Sequence, residues 1–405
     1  MKKIAWLATC LAALGLLLGG TAALAAKTIK VGIIDTYSGP ASTYTNDVRD
    51  GFKLEVDKVN AQGGVLGSKI EFTTRDDKFK VDVAISAAKE LIMREGVDIL
   101  MGTINSASGL AISDLAKAEK VPFFVTFSKT DKISGEKGHR YVFQITENTA
   151  TAGKAAAAAL AKKPYVKYWI AGDDYEYGHS LADDLWKNLK QLKPNVELLG
   201  QSWWKVGEPD FTPYITSILA AKPDAVIIAT GGRDCVPFLK ASKATGFNEK
   251  VPFFMHTATE LSTLQPLGLE APEGVLGTSN YFHYFPDDAA NKAFVADFQK
   301  AYGRVPKVGA LYGYITAKLI IDGYKKAGSL DKEKLIDAIE GMTVTTPVGP
   351  VTLRAYDHQA MLPMYMGVTK KAPGYDYLIA TDIVTVPAEQ ATPSVEEIKK
   401  ARGGK

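Results

Sequence analysis

Short runs of β-branched and apolar residues alternate along the chain with longer segments whose apolar positions recur every three or four residues. Residues 30–35 form the first run. The segment 46–60 that follows has apolar residues at helical spacing, among them Val48, Phe52 and Val56. Further strands are predicted at residues 69–74, 97–101 and 122–125. Strand and helix signals that alternate in this way predict a parallel sheet covered by helices on both faces.

The same alternation restarts in the middle of the chain, after a strand predicted at residues 141–145 and an alanine-rich helix predicted at 149–162. The strands predicted in this second series are 167–171, 196–202, 225–229 and 252–256. The later helices are predicted at 181–192, 289–302, 311–326 and 331–339, and the last strands at 364–369 and 377–384. Two such series predict two separate sheets.

The predicted fold class is therefore α/β, with two doubly wound parallel-sheet lobes joined by a three-segment hinge. Turn residues between periodic segments place the three crossings at residues 144–148, 280–285 and 345–350. The predicted division assigns residues 27–144 and 285–345 to the first lobe, 148–280 and 350–384 to the second, and 386–405 to a C-terminal tail. In that tail, Ser394 and Glu397 have the spacing of a helix capping box.

The N-terminus has the pattern of a secretory signal. Two lysines precede the apolar residues 4–24, and the stretch ends in Ala-Leu-Ala at Ala25. We predict that residues 1–25 are a signal peptide cleaved near Ala25 and that the mature protein is periplasmic. An uncleaved membrane anchor is the alternative, because the stretch is nearly long enough to span a bilayer.

Composition and motifs exclude several classes of function. The 48 basic residues face 45 acidic ones, so the charge gives no reason to expect nucleic acid as a partner. Cys10 and Cys235 are the only cysteines, and the five histidines are scattered, so no metal site or cofactor is predicted. Nucleophile-elbow and phosphate-loop motifs do not occur in the sequence. An enzyme, for example a hydrolase using Ser106 or Cys235, would have no recognisable base.

Hydroxyl-rich or aromatic turns follow several of the predicted strands. In the first series they are residues 35–44, 102–108 and 126–130, and in the second they are 172–178 and 230–234. Ser, Thr and Asn at such positions commonly cap helices. Their coincidence at one edge of each sheet favours a ligand site instead, because parallel sheets bind ligands at the carboxyl ends of their strands.

These residues carry a resemblance to a known family. The chain resembles the branched-chain amino acid (leucine/isoleucine/valine-binding) periplasmic proteins of ABC importers, which have the type I periplasmic-binding fold. The most specific matches are Ser-Gly-Pro-Ala at 38–41, the glycine-rich run at 59–67 followed by two aspartates, and Tyr177 with its following glycine. The resemblance covers residues 29–382 and implies a small-molecule ligand and a membrane permease as partners.

The family's binding residues fall on definite positions of this chain. The resemblance places the carboxylate-binding serine at Ser106 and the second loop at Ser128 and Thr130, and it places the aromatic residues that cover the ligand at Tyr44 and Tyr177. Asn105 stands where some relatives have a disulfide cysteine. The resemblance therefore predicts a ligand carboxylate near Ser106 and Thr130.

Other positions depart from the family pattern. Lys129 replaces a small residue between Ser128 and Thr130, and the acid that pairs with the ligand's ammonium is absent or shifted to Glu260. If the ligand is an amino acid, Glu260 is its predicted ammonium partner. If the ligand is an aromatic or aliphatic acid or an amide, Arg233 or His256 is predicted to contact its distal polar group. A ligand-sensing regulator of the same fold is the remaining alternative.

Overall fold

A five-stranded sheet and a seven-stranded sheet form the framework of the protein, together with one hairpin. The computed structural model describes residues 28–403, so the predicted signal peptide at 1–25 lies outside the described residues. The strands are β1 (Ile29–Asp35), β2 (Ile70–Asp76), β3 (Ile99–Gly102), β4 (Phe123–Val125), β5 (Val142–Gln144), β6 (Lys167–Asp173), β7 (Glu197–Trp204), β8 (Ala225–Ala229), β9 (Phe253–Met255), β10 (Leu276–Ser279), β11 (Thr343–Thr346), β12 (Gly349–Thr352), β13 (Met364–Lys370) and β14 (Ile379–Val386).

Helices connect most of these strands. They are α1 (Ser42–Ala61), α2 (Val81–Glu90), α3 (Ser106–Glu119), α4 (Thr149–Ala161), α5 (Glu176–Leu192), α6 (Thr212–Ala221), α7 (Cys235–Thr245), α8 (Phe247–Lys250), α9 (Leu261–Leu264), α10 (Ala289–Tyr302), α11 (Val308–Ala327), α12 (Lys332–Ile339), α13 (Ala388–Ala391) and α14 (Val395–Ala401). A π-helical turn at Leu91–Glu95 continues α2, and 3₁₀ turns occur at His256–Thr259 and Gly268–Glu270. Within residues 28–403, no helix has both the length and the apolar character needed to span a membrane.

The first lobe is built on the five-stranded sheet, whose order is β2-β1-β3-β4-β5 and whose strands are all parallel. Its interior strand β1 is apolar on both sides: Ile33 packs into the core that contains α1 and α11, and Ile34 packs into the core that contains α2 and α3. A strand covered by helices on both faces needs apolar residues at consecutive positions. This explains why residues 30–35 lack a polar alternation.

The second lobe is built on the seven-stranded sheet, whose order is β14-β13-β10-β9-β8-β6-β7. From β10 to β7 the strands run parallel, whereas β13 pairs antiparallel with both β10 and β14. In the interior strand β8, Ile227 and Ile228 pack into different cores on the two faces. The predicted α/β class with parallel-sheet cores is confirmed, with β13 and β14 added at one edge through antiparallel pairing.

The third predicted crossing differs from the structure. Residues 345–350 contain the turn of an antiparallel hairpin in which β11 pairs with β12. Beyond the hairpin, Leu353 and Leu362 are still packed in the core of the first lobe, so the chain passes to the second lobe between Leu362 and β13. Proline and glycine mark a tight turn equally well inside a hairpin and between lobes, which is why the sequence pattern was ambiguous.

The C-terminal tail links the two lobes. The capping box predicted at Ser394 and Glu397 is confirmed: the side chain of each accepts a hydrogen bond from the other's backbone N–H. After the helix, the Arg402 guanidinium donates to the carbonyl oxygens of Ser134 and Gly135 at 2.8 and 2.9 Å. Because β14 belongs to the second lobe and these carbonyls belong to the first, the tail ties the two lobes together on the hinge side.

Candidate ligand-binding site

A small cavity lies between the two lobes. Its walls are formed by residues that directly follow strands of the two sheets, apart from one tyrosine of α1. The first lobe contributes Tyr44, Ile104, Phe127 and Lys129, and the second contributes Tyr175, Tyr177, Gly231, Gly232 and Thr257. Ligands of parallel α/β sheets bind at this edge, where the strands end.

Tyr44 and Tyr177, the two aromatic residues predicted to cover the ligand, both line this cavity and are both buried. The Tyr44 hydroxyl is hydrogen-bonded to Thr263 Oγ1 across the lobes at 2.7 Å, and its ring packs edge-on against Phe127. The Tyr177 hydroxyl lies 3.0 Å from His256 Nδ1. Both side chains are therefore held in place by the protein, and their contact with a ligand remains a prediction.

A cluster of buried ionisable groups adjoins the cavity through Lys129, the only one of the four that lines it. Lys129, Glu147, His256 and Glu260 are all at most 4% exposed. The Lys129 ammonium forms a short ion pair with Glu147 Oε1, and it lies 3.8 Å from Glu260 Oε1. His256 Nε2 lies 3.0 Å from Glu147 Oε1. Lys129 is thus paired with Glu147 and lies beside a second buried acid, Glu260.

Glu147 is fully provided with partners. Besides Lys129 and His256 on Oε1, it accepts hydrogen bonds on Oε2 from the Tyr312 hydroxyl at 2.5 Å and from Thr146 Oγ1 at 2.9 Å. Burial by itself would raise the pKa of Glu147, but Lys129 and the hydrogen bond from His256 outweigh it and hold the pKa well below its usual range. Glu147 is therefore ionised. Burial lowers the pKa of His256, which favours the neutral ring.

Glu260 is in the opposite situation. Both of its carboxylate oxygens are buried without a hydrogen-bond partner among the described residues. Burial raises the pKa of Glu260 to about 8, with the charge of Glu147 adding to the rise and Lys129 opposing it. An acid in this position needs a donor to remain ionised near neutral pH. Such a group is well suited to receive a cation or a hydrogen-bond donor from a ligand.

The other residues predicted for the site lie around the cavity but do not line it. Ser106 Oγ accepts hydrogen bonds from the backbone N–H groups of Lys129 and Thr130 at 3.1 and 3.4 Å. Ser128 Oγ donates to the carbonyl oxygens of Thr103 and Asn105. These hydroxyls fix the shape of the loop that carries Lys129.

Three further predicted residues have local partners. Thr130 Oγ1 donates to Glu176 Oε1 of the second lobe at 2.7 Å. The Asn105 side chain caps α3 by accepting from Ser108 N at 3.1 Å. Arg233 is half exposed, and its guanidinium lies beside Gly207. Any ligand contact by these three residues stays a prediction.

Sequence reasoning identified Lys129 only as a departure from the family pattern, and it did not single out Glu147 or Tyr312. A lysine in a loop that follows a buried strand was a usable signal, because such a residue is either exposed or paired. Glu147 gave no comparable signal. It lies inside a segment predicted only as a crossing between lobes.

Gly231 allows the Tyr177 ring to approach the cavity wall. A Cβ atom at this position would lie 2.5 Å from Tyr177 Cε1, which is closer than real contacts allow. We therefore expect Gly231→Ala to displace Tyr177 and to weaken ligand binding about tenfold, or about 1.4 kcal/mol, measured by calorimetric titration. Gly274→Ala is the control, because Gly274 has a positive φ of 83° in the same lobe but no atom within 4 Å of an added Cβ. Equal affinities for the two variants would contradict this role of Gly231.

Other chemistry has little support at this site. Among the residues described, no group of three or more His, Cys, Asp or Glu side chains could hold a metal ion. Cys235 is fully buried, its Sγ lies 2.9 Å from Thr257 Oγ1, and burial raises the pKa of its thiol. A thiol of this kind is a poor nucleophile, because the thiolate is the reactive form.

Comparison with known proteins agrees with the geometry. Residues 28–373 match the family model described as periplasmic binding protein. The match covers most of the chain, so the protein belongs to the periplasmic binding protein family. The family implies a location outside the cytoplasm.

Individual relatives are more distant. The leucine-, isoleucine-, valine-, threonine- and alanine-binding protein of Pseudomonas aeruginosa is 26% identical over 80% of this chain and 86% of its own. A periplasmic binding protein from Burkholderia mallei has a TM-score of 0.83 at 23% identity, over 91% of this chain and 97% of that chain. A solute-binding protein of an ABC transporter from Rhodopseudomonas palustris, in complex with 3,4-dihydroxybenzoic acid, has a TM-score of 0.79 at 25% identity, over 89% and 98% of the two chains. These relatives are solute-binding proteins rather than enzymes, and the chain is a periplasmic binding protein of the ABC-transporter type.

Proposed function

We propose that this protein captures an α-amino acid with an apolar side chain between its two lobes and delivers it to the permease of an ABC importer. The observation that carries the proposal is Glu260, an acid with both oxygens buried and unpartnered beside a lysine. Leaving such a group unsatisfied is costly, whereas an ammonium would pair with it. An α-amino acid brings that ammonium and a carboxylate together.

Charge pairing also favours a zwitterion. Lys129 and Glu147 cancel each other, and His256 is neutral, so the protonation of Glu260 decides the net charge of the cluster. A simple carboxylate brings a negative charge without a cation into a site whose one buried lysine is already paired with Glu147. A zwitterion brings both charges, so its ammonium can pair with Glu260 once this acid has lost its proton, while its carboxylate lies near Lys129.

The remaining parts of the site fit the same ligand. Tyr44, Phe127, Tyr175 and Tyr177 give the cavity apolar walls suited to an aliphatic or aromatic side chain. The hydroxyls of Ser106 and Thr130 remain the predicted neighbours of the carboxylate. Capture then proceeds by hinge closure, because the ligand's contacts with both lobes stabilise the arrangement in which they meet.

An aromatic carboxylate without an ammonium is the second candidate. Four aromatic rings in the walls of the cavity favour it, as does the Rhodopseudomonas palustris relative in complex with 3,4-dihydroxybenzoic acid. In this case the Lys129 ammonium would hold the carboxylate, and a phenolic hydroxyl would donate to Glu260. Its weakness is that a carboxylate without an ammonium brings no cation to pair with Glu260.

A matched pair of ligands separates the two candidates. A thermal-shift screen of the amino acids identifies the best ligand, since a ligand at a hundred times its Kd stabilises by about 2.7 kcal/mol. Its deaminated analogue, for leucine 4-methylpentanoate, and 4-hydroxybenzoate are then titrated calorimetrically. We expect the amino acid to bind at least a hundredfold more tightly than either acid. Equal binding of the deaminated analogue, or binding of 4-hydroxybenzoate alone, would overturn the proposal in favour of the second candidate.

A further inference from the structure

Glu147 does not line the cavity, but it connects two residues that do. It belongs to the first crossing between the lobes and accepts hydrogen bonds from three other parts of the chain. These donors are Lys129 in the loop after β4, His256 in the turn after β9 and Tyr312 on α11. His256 in turn accepts from Tyr177 of the cavity wall. Two cavity residues from different lobes, Lys129 and Tyr177, are therefore linked through this one carboxylate.

The Lys129 ammonium has two acids within reach, and the structure distinguishes between them. It makes a short contact with Glu147 and lies 3.8 Å from Glu260, beyond hydrogen-bond distance. Without Glu147, Glu260 would be the only charged partner in reach of this ammonium among the residues described. Its other contacts are neutral: the Thr146 hydroxyl at 3.3 Å and the rings of Phe127 and Tyr312, whose centroids lie 5.1 and 5.6 Å away.

We propose that Glu147 is a positioning residue that draws the Lys129 ammonium away from Glu260 and so leaves Glu260 free for the ammonium of the ligand. The inference rests on the proposed function, in which the ligand is an amino acid. Tyr312 and His256 orient Glu147 for this task, because each donates to a different oxygen of its carboxylate. The site thereby keeps one acid paired and one acid vacant.

The groups that face Glu260 come from six parts of the chain. They are Lys129, Glu147, Tyr44, Tyr177, Tyr312 and Cys235. Of these only Lys129 is a cation. In Glu147→Gln we therefore expect Lys129 to pair with Glu260, and Glu260 to become ionised and occupied.

The first test needs no ligand. In the wild-type protein the pKa of Glu260 is raised to about 8, so the contribution of Glu260 to the free energy of unfolding falls as pH rises from about 4.5 to 8. In Glu147→Gln this fall is expected to disappear, because the pKa of a paired Glu260 returns towards its usual range. Urea unfolding at several pH values measures it. A merely structural role for Glu147 would lower stability at every pH and leave the slope unchanged, and that result would overturn the inference.

The second test uses the best amino-acid ligand. Its binding to the wild-type protein is expected to release a proton near pH 7, seen as a dependence of the calorimetric enthalpy on the buffer. Glu147→Gln is expected to bind at least tenfold more weakly and to release no proton, whereas Glu147→Asp should restore both. A wild-type protein that binds no amino acid would refute the proposed function, and the slope test would still decide whether Glu147 holds Lys129.

Two further variants serve as a control and as a substitute for Glu147→Gln. Glu340 Oε1 lies 3.1 Å from His358 Nε2, outside the cavity. Glu340→Gln breaks this pair and is expected to change neither the pH dependence of stability that Glu260 causes nor the affinity for the ligand. If Glu147→Gln does not fold, Tyr312→Phe removes one donor from Glu147 and keeps its charge. It is expected to weaken amino-acid binding by a few fold and to reduce proton release, and unchanged values for both would count against the inference.

Discussion

Glu260→Gln is expected to weaken amino-acid binding by roughly a hundredfold or more, while making the ligand-free protein more stable above pH 7. The loss follows from removing one partner of a buried charge pair, which costs about 2–5 kcal/mol. The gain follows from the raised pKa of Glu260, about 8, because the folded protein must hold a buried acid that ionises at a cost.

The raised pKa of Glu260 makes its contribution to stability depend on pH. Because the folded pKa is raised, Glu260 contributes full stability below its unfolded value near 4.5, and this contribution is lost as pH rises to about 8. Glu260→Gln lacks this loss, so its advantage over the wild type should grow from about zero at pH 4.5 to on the order of 4 kcal/mol at pH 8. Urea unfolding across this range measures it. Glu249→Gln, at an exposed acid, is the control.

Two outcomes would contradict the role of Glu260. Undiminished amino-acid binding by Glu260→Gln would remove this residue from the ligand site. A parallel pH dependence of stability in the variant and the wild type would mean that Glu260 is ionised and partnered in the ligand-free protein. Binding of the deaminated analogue serves as the internal reference, because it has no ammonium to lose.

Lys129→Met is expected to abolish measurable ligand binding and to destabilise the protein by about 3–5 kcal/mol at pH 7. The variant leaves Glu147 as a buried carboxylate without a cation, and breaking one side of a buried ion pair has this cost. The pKa of Glu147 would no longer be held down by Lys129, so the stability difference from the wild type should shrink as pH falls towards 4. Chemical unfolding at pH 4.5 and pH 7 tests both the size and the direction.

Two further variants test whether the effect of Lys129→Met comes from the buried ion pair with Glu147. The double variant Lys129→Met/Glu147→Gln removes both charges and is expected to regain part of the stability without regaining ligand binding. Lys132→Met is the control: its ammonium pairs with Glu176 at 3.0 Å but is 41% exposed, so we expect a loss of less than about 1 kcal/mol. Equal destabilisation by Lys129→Met and Lys132→Met would contradict the buried ion pair.

The strands were recognisable from the sequence where they lie inside a sheet. Residues 225–229 were predicted and observed as β8, since a strand covered on both faces is continuously apolar. The strand β10 was missed because Leu276–Ser279 contains a glycine, a threonine and a serine at its end, with no apolar run. It is a strand because β9 and β13 pair with it on either side, and the pattern of its own residues does not determine that.

The aromatic walls of the cavity could also be predicted from the sequence. Tyr44 and Tyr177 were predicted in turns that follow strands; they lie in the first turns of α1 and α5, and both line the cavity. The cluster of Lys129, Glu147, His256 and Glu260 could not be predicted from the sequence. Glu147 meets His256 across 109 positions and Tyr312 across 165 positions of the chain. Local pattern carries no information on such pairs.

By itself the sequence determined the α/β class, the two sheets and the edge of each sheet that lines the cavity, because hydrophobic period and strand-end turns are local properties of the chain. Only the tertiary structure decided which charges in the site are paired. Lys129 lies between two acids, and its distances from Glu147 and Glu260 depend on the packing of both lobes around the first crossing. The energy of a buried charge depends on its partners within a few ångströms, and those partners come from distant parts of the chain.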